Sequence, residues 1–141
     1  MLVAEALKRK DDIKQKIVEL EFYLGKVGGA PAPGKDAVGL YGEVINSIFK
    51  LFDKYQNLSI LIERSNLSNE VEIGKSKLSV SNAVKLRRTV SEKIRVLTDV
   101  IGNGDPMINV PNLIDQRDKL IEEHILLDNV IKQSDWGVEI D

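Results

Sequence analysis

The chain has 141 residues, with 43% hydrophobic residues, 30% charged residues and a formal charge of −2, which fits one globular domain rich in exposed helix. It contains no cysteine, which excludes disulfides, thiolate catalysis, iron–sulfur clusters and cysteine zinc sites. No apolar run approaches the ~18 residues of a membrane span, and the opening MLVAEALKRK has no long apolar core of a signal peptide, so a cytoplasmic protein without membrane contact is expected.

The first predicted helix runs from about Leu2 to Leu24. Val3, Ala6, Lys10, Ile13, Ile17, Leu20 and Leu24 recur in steps of three and four, a helical seam with one polar interruption at Lys10. Gly25, Gly28, Gly29, Pro31, Pro33 and Gly34 follow. They predict a helix stop and a flexible connector over 25–35. A second helix begins at Asp36, a good N-cap residue, and runs to about Ser65. Its apolar positions, from Val38 through Ile48, Phe52 and Tyr55 to Ile62, form a stripe wider than a two-stranded seam. Such a helix faces two neighbours.

Val71 and Ile73 precede Gly74, and Leu78 and Val80 follow Lys77. This alternation predicts a short β-hairpin over about 70–80. A lone hairpin is marginal in water, so it must lean on the helix ends. Ser79 or Ser81 then caps a third helix over about 80–101. A Gly/Pro turn at Gly102 to Pro106 separates it from a fourth helix over about 111–134. Pro111 suits the first turn of that helix.

Charge is distributed unevenly. From Gly74 to Arg95 there are seven basic residues and one acidic, and from Asp99 to Asp141 ten acidic and three basic. Helices joined by a short turn pack antiparallel, so the flanks of helices three and four are expected to complement each other. The fold class expected is all-α: one domain, an antiparallel four-helix or coiled-coil bundle with a short hairpin between helices two and three.

Several pieces of the chain match a known pattern. They are Leu2-x-Ala4-Glu5-Ala6-Leu7, then Ile62 with Asn66-Leu67-Ser68-Asn69, then Gly74, Leu78-Ser79 and Ala83 with Arg87-Arg88. Leu127-Asp128, Ile131 and Trp136 close the series. In this order the chain resembles, over nearly its whole length, a family of small bacterial helical proteins of unknown function often machine-labelled "septicolysin". Thr89, Ser65 and Asp135 depart from the residues that family tends to carry. The resemblance implies a helical bundle and supplies no activity, and nothing in these residues supports a haemolysin.

Catalytic and metal chemistry find little footing. His124 is the only histidine, with no nucleophile motif beside it and too few partners for a metal. Paired carboxylates such as Asp11-Asp12 and Glu122-Glu123 read as solvated helix faces, because acid–base work needs two carboxyls in different environments within a cleft. Gly74-Lys75-Ser76 matches only the end of a phosphate loop, since Asn69 stands where the earlier glycine belongs. No enzyme activity and no cofactor are expected.

Two sets of residues remain as candidates. Asn66 and Asn69 suit a helix end, and with Arg87 and Arg88 returning nearby they form a possible polar site at one end of the bundle. Tyr41, Ile48, Phe52 and Tyr55 form a possible interface on the second helix. The favoured reading is a structural or protein-interaction module that forms homo-oligomers. The alternative is a nucleic-acid-associated protein using Lys75, Lys77, Lys85, Arg87 and Arg88. An acidic pI of about 5.5 and the lack of aromatics in that stretch count against it.

Overall fold

A computed structural model of the chain describes residues 1–28, 35–104 and 110–140. Its elements are α1 (Val3–Gly28), α2 (Lys35–Ser68), β1 (Glu70–Ile73), β2 (Ser76–Ser79), α3 (Val80–Gly102) and α4 (Val110–Gly137). The structure is mostly helical, with the two-stranded antiparallel hairpin between α2 and α3 where the alternation places it.

Three helices run past their expected ends. α1 continues through Gly25 to Gly28, because a glycine costs a helix only about 1 kcal/mol and does not break its hydrogen bonds. Lys26 reaches back one turn to hold its ammonium 4.7 Å from the Phe22 ring centre, a contact across that glycine. α2 extends to Ser68, and α4 takes in Asp135 and Trp136, which the sequence suggests lie in a tail. The Val138 amide still donates to the Ser134 carbonyl at 3.0 Å. Of the expected connector over 25–35, residues 29–34 lie outside the described residues, as do 105–109 of the turn before α4.

The chain divides into two compact units, Met1–Glu63 with Glu139–Asp141, and Arg64–Val138, where composition suggests one domain. In the first unit, α1 and α2 run antiparallel. Lys10 lies over Tyr55 at 4.8 Å, and Ile17 and Val18 share a groove with Phe52, so one helix ascends as the other descends. Val3, Ala6, Ile17, Ile48 and Ile62 are buried. The Glu5 carboxylate accepts the Leu2 amide at 2.9 Å, half of a capping box at the start of α1. The C-terminal tail pairs with the N-terminus: Ile140 N–H donates to the Met1 carbonyl at 2.8 Å, and the Met1 ammonium sits 2.6 Å from Glu139.

In the second unit the hairpin pairs Val71 with Leu78 and Ile73 with Ser76. Gly74, at φ +61°, is the first central residue of its two-residue turn, where a glycine conformation is required. Ser79 resolves the capping choice: its hydroxyl accepts the Asn82 amide at 3.1 Å. Val71 of β1, Val80 and Ala83 of α3 and Ile131 of α4 form a buried cluster, with Ile73, Val84 and Val130 packed against it. The hairpin therefore leans on both helices, and the α3–α4 pair is antiparallel, with Arg87 facing Asp128 and Val96 and Leu97 sharing a groove with Gln116 and Leu120.

Ile131→Ala, which empties a site only 2% exposed, is expected to lower unfolding free energy by about 2–5 kcal/mol. Ser79→Ala, which removes the α3 cap, is expected to lower it by about 1 kcal/mol. Urea denaturation followed by helical circular dichroism measures both.

Candidate functional site

Of the four polar candidates, Asn69 and Arg87 make side-chain hydrogen bonds, each to a different partner. Asn69 closes α2: its side-chain amide donates to the Ser65 carbonyl at 2.8 Å and lies 3.3 Å from the Ser65 hydroxyl. Its own N–H donates to the same carbonyl at 3.0 Å. The Asn69 carbonyl accepts the Val80 amide at 2.9 Å, which ties the end of α2 to the start of α3. These bonds satisfy orphaned helix-end groups. Asn66 is half-buried, and Arg88 is exposed on α3. Among the described residues no hydrogen bond or ion pair joins either asparagine to either arginine.

Arg87 has partners that the sequence reading did not single out for it. Its guanidinium donates to one Asp128 oxygen at 2.8 Å, and Lys132 binds the other at 2.8 Å. The Lys132 hydrogen bond, and after it the charges of Lys132 and Arg87 and the Arg87 hydrogen bond, hold the Asp128 carboxyl below its ordinary range against the opposing effect of burial. Asp135, about two turns further along α4, is pushed the other way by burial, with Arg87 opposing. Asp128, Lys132 and Asp135 are spaced by four and three, so they share one flank of α4. An antiparallel register would have signalled them. Two carboxyls with opposite shifts resemble an acid–base pair, and in this pair each Asp128 oxygen accepts from a cation, Arg87 on one and Lys132 on the other. The cluster ties α3 to α4.

The expected charge complementarity narrows to this cross-helix contact. Arg95 instead pairs within α3 to Glu92 and Asp99, and Lys77 pairs across the hairpin with Glu72. His124 is half-buried on α4, and among the described residues no group of three or more potential ligands is placed to hold a metal ion.

The apolar candidates lie in the first unit. Ile48 is 6% exposed; it packs inside and drops out of the expected interface, because it falls on the inner stripe of α2. Tyr55 is half-buried under Lys10. Tyr41 and Phe52 are exposed. Phe49 of the same helix-two stripe is 60% exposed, and on α1, which sequence reasoning did not single out, Phe22 is 66% exposed and Val18 58%. Thus all three phenylalanines of the protein lie on the outside of one helix pair. Val18 and Phe52 line a groove of about 300 Å3 with Lys14, Ile17, Glu21 and Tyr55. Phe22 lies one turn beyond Val18, and Phe49 one turn before Phe52, on the same flanks. Val18 and Phe22, four apart on α1 and outside the Val3–Leu24 seam, were the legible signal.

No protein-family model matches the chain, and no curated protein matches it. Its fold is similar to the crystal structure of a functionally unknown conserved protein from Corynebacterium diphtheriae, with a TM-score of 0.83 and 18% identity, covering 100% of this chain and 99% of that one. The two proteins share a fold.

Replacing Asp128 with Asn is expected to lower stability at neutral pH by about 1 kcal/mol, the scale of a partly exposed pair. Because the folded carboxyl titrates below the unfolded one, its contribution is complete above about pH 4 and vanishes as pH falls through the folded value. The gap between wild type and D128N should close in acid. For Asp135 the sign is reversed: its raised value penalises the folded state once pH climbs past it, so D135N should match or exceed wild type at pH 7. Denaturant midpoints from pH 3 to 7 check both.

Proposed function

We propose that this chain is a non-catalytic helical interaction module that self-associates through the exposed face of its α1–α2 pair. One observation supports the reading above others: Phe22, Phe49 and Phe52 all face outward beside Val18. Contiguous exposed apolar surface rimmed by charge marks a contact region, and aromatics are enriched at such contacts. The shared fold with a bacterial protein of unknown function also supports membership in the small bacterial helical family that the sequence resembles.

The nucleic-acid alternative draws less support. Of its five cations, Arg87 and Lys77 are engaged by carboxylates, which leaves fewer to displace counterions from a phosphate backbone.

Light scattering at low and high salt, with and without a short DNA or RNA duplex, tests the reading. The expected result is a dimer or larger species that tolerates salt and ignores the duplex. A monomer that joins the duplex only at low salt would replace it with the nucleic-acid reading. Phe22→Ser combined with Phe49→Ser should reduce the mass to that of one chain while leaving the unfolding midpoint nearly unchanged, since both side chains are already exposed.

A further inference from the structure

We infer that the occupant of the α1–α2 face is a second copy of this chain, whose α1 crosses the first antiparallel, with Lys14 of each copy against Glu21 of the other. This rests on the interaction-module reading and specifies its partner and register.

Two charges of opposite sign sit on the groove lining itself. Lys14 and Glu21 both line the groove beside Val18 and Phe52. Neither makes an ion pair or hydrogen bond within the chain among the described residues, whereas Lys16 and Glu19 on the same helix pair with each other at 3.7 Å. Lys14 and Glu21 lie seven residues apart on one flank, about 10 Å along the axis, too far to reach each other. Ile17 and Val18 lie midway between them.

A two-fold axis through that midpoint sends Lys14 of one copy onto Glu21 of the other and returns the same pair on the opposite side. An isologous contact requires this reciprocity: where residue i meets residue j, residue j also meets residue i. Val18 then lies within one residue of Val18 of the other copy, and Phe22 flanks the axis about 7 Å away on either side. Two antiparallel pairs stacked this way make a four-helix arrangement between chains.

Lys14 and Glu21 supply one charge of each sign on the groove lining, the self-complementary pattern that a second copy matches, while the Lys10 and Lys26 ammonium groups lie on the Tyr55 and Phe22 rings. The exposed parts of the three phenylalanines and Val18 amount to roughly 400 Å2 per copy, taking about 200 Å2 for a whole aromatic side chain. That is about half of the ~800 Å2 each partner buries in a standard interface, before Tyr41 and the rim are counted.

Sedimentation equilibrium of the full chain, with helical circular dichroism as the folding check, tests the register. Lys14→Glu alone places two anions face to face at each end, and Glu21→Lys alone places two cations. Each should weaken the dimer about tenfold. The double variant K14E/E21K restores opposite charges across the axis and should return the dissociation constant to within about twofold of wild type, a rescue that no contact within one chain can supply. A wild-type dimer with no rescue in the double variant would overturn the register while leaving self-association standing. Wild-type protein that stays monomeric up to about 100 µM would overturn both.

Discussion

An antiparallel pair of helices has one seam. Each helix can turn roughly a third of its circumference into that seam, and an apolar side chain elsewhere faces either another surface or water. Both pairs in this protein obey that limit. α3 and α4 meet it by adding the hairpin: Val71 and Ile73 give the inner stripes of both helices a third surface to bury against. α1 and α2 bury Ile17 and Ile48 but leave the phenylalanines outside. The second pair also leaves apolar side chains outside, Ile125 and Trp136 of α4 among them, but the exposed phenylalanines all belong to the first.

The junction from α2 to α3 shows how local chemistry serves this arrangement. Asn69 spends its side chain on the last turn of α2 and its carbonyl on the first amide of α3. Ser79 then caps α3 from the end of β2. Between them the chain has only the hairpin, whose turn depends on Gly74. Asn69, which looks like part of a binding site in the sequence, is consumed by a helix end, where unsatisfied backbone groups would otherwise carry a desolvation cost. Arg87 is similarly consumed. It sits on the inner stripe of α3, and a guanidinium there persists only with a carboxylate to meet it; Asp128 supplies that.

The sequence by itself determined the number and type of elements, the hairpin and its turn, a serine cap on α3 and the α1 seam, because each follows from a period or a residue's local conformational preference. It misjudged helix ends at Gly25, Ser65 and Ser134, where propensity is worth about 1 kcal/mol and neighbouring turns override it. Which apolar side chains of a wide stripe are inside was decided only by tertiary structure. Ile48 and Phe49 are adjacent and equally apolar, yet one is buried and the other largely exposed, because burial depends on the rotation of α2 against α1, which no single-helix pattern records. The partners of Arg87 and the idle charges of Lys14 and Glu21 belong to the same class. A side chain's pairing depends on register between elements, and that register is set by packing across the seam.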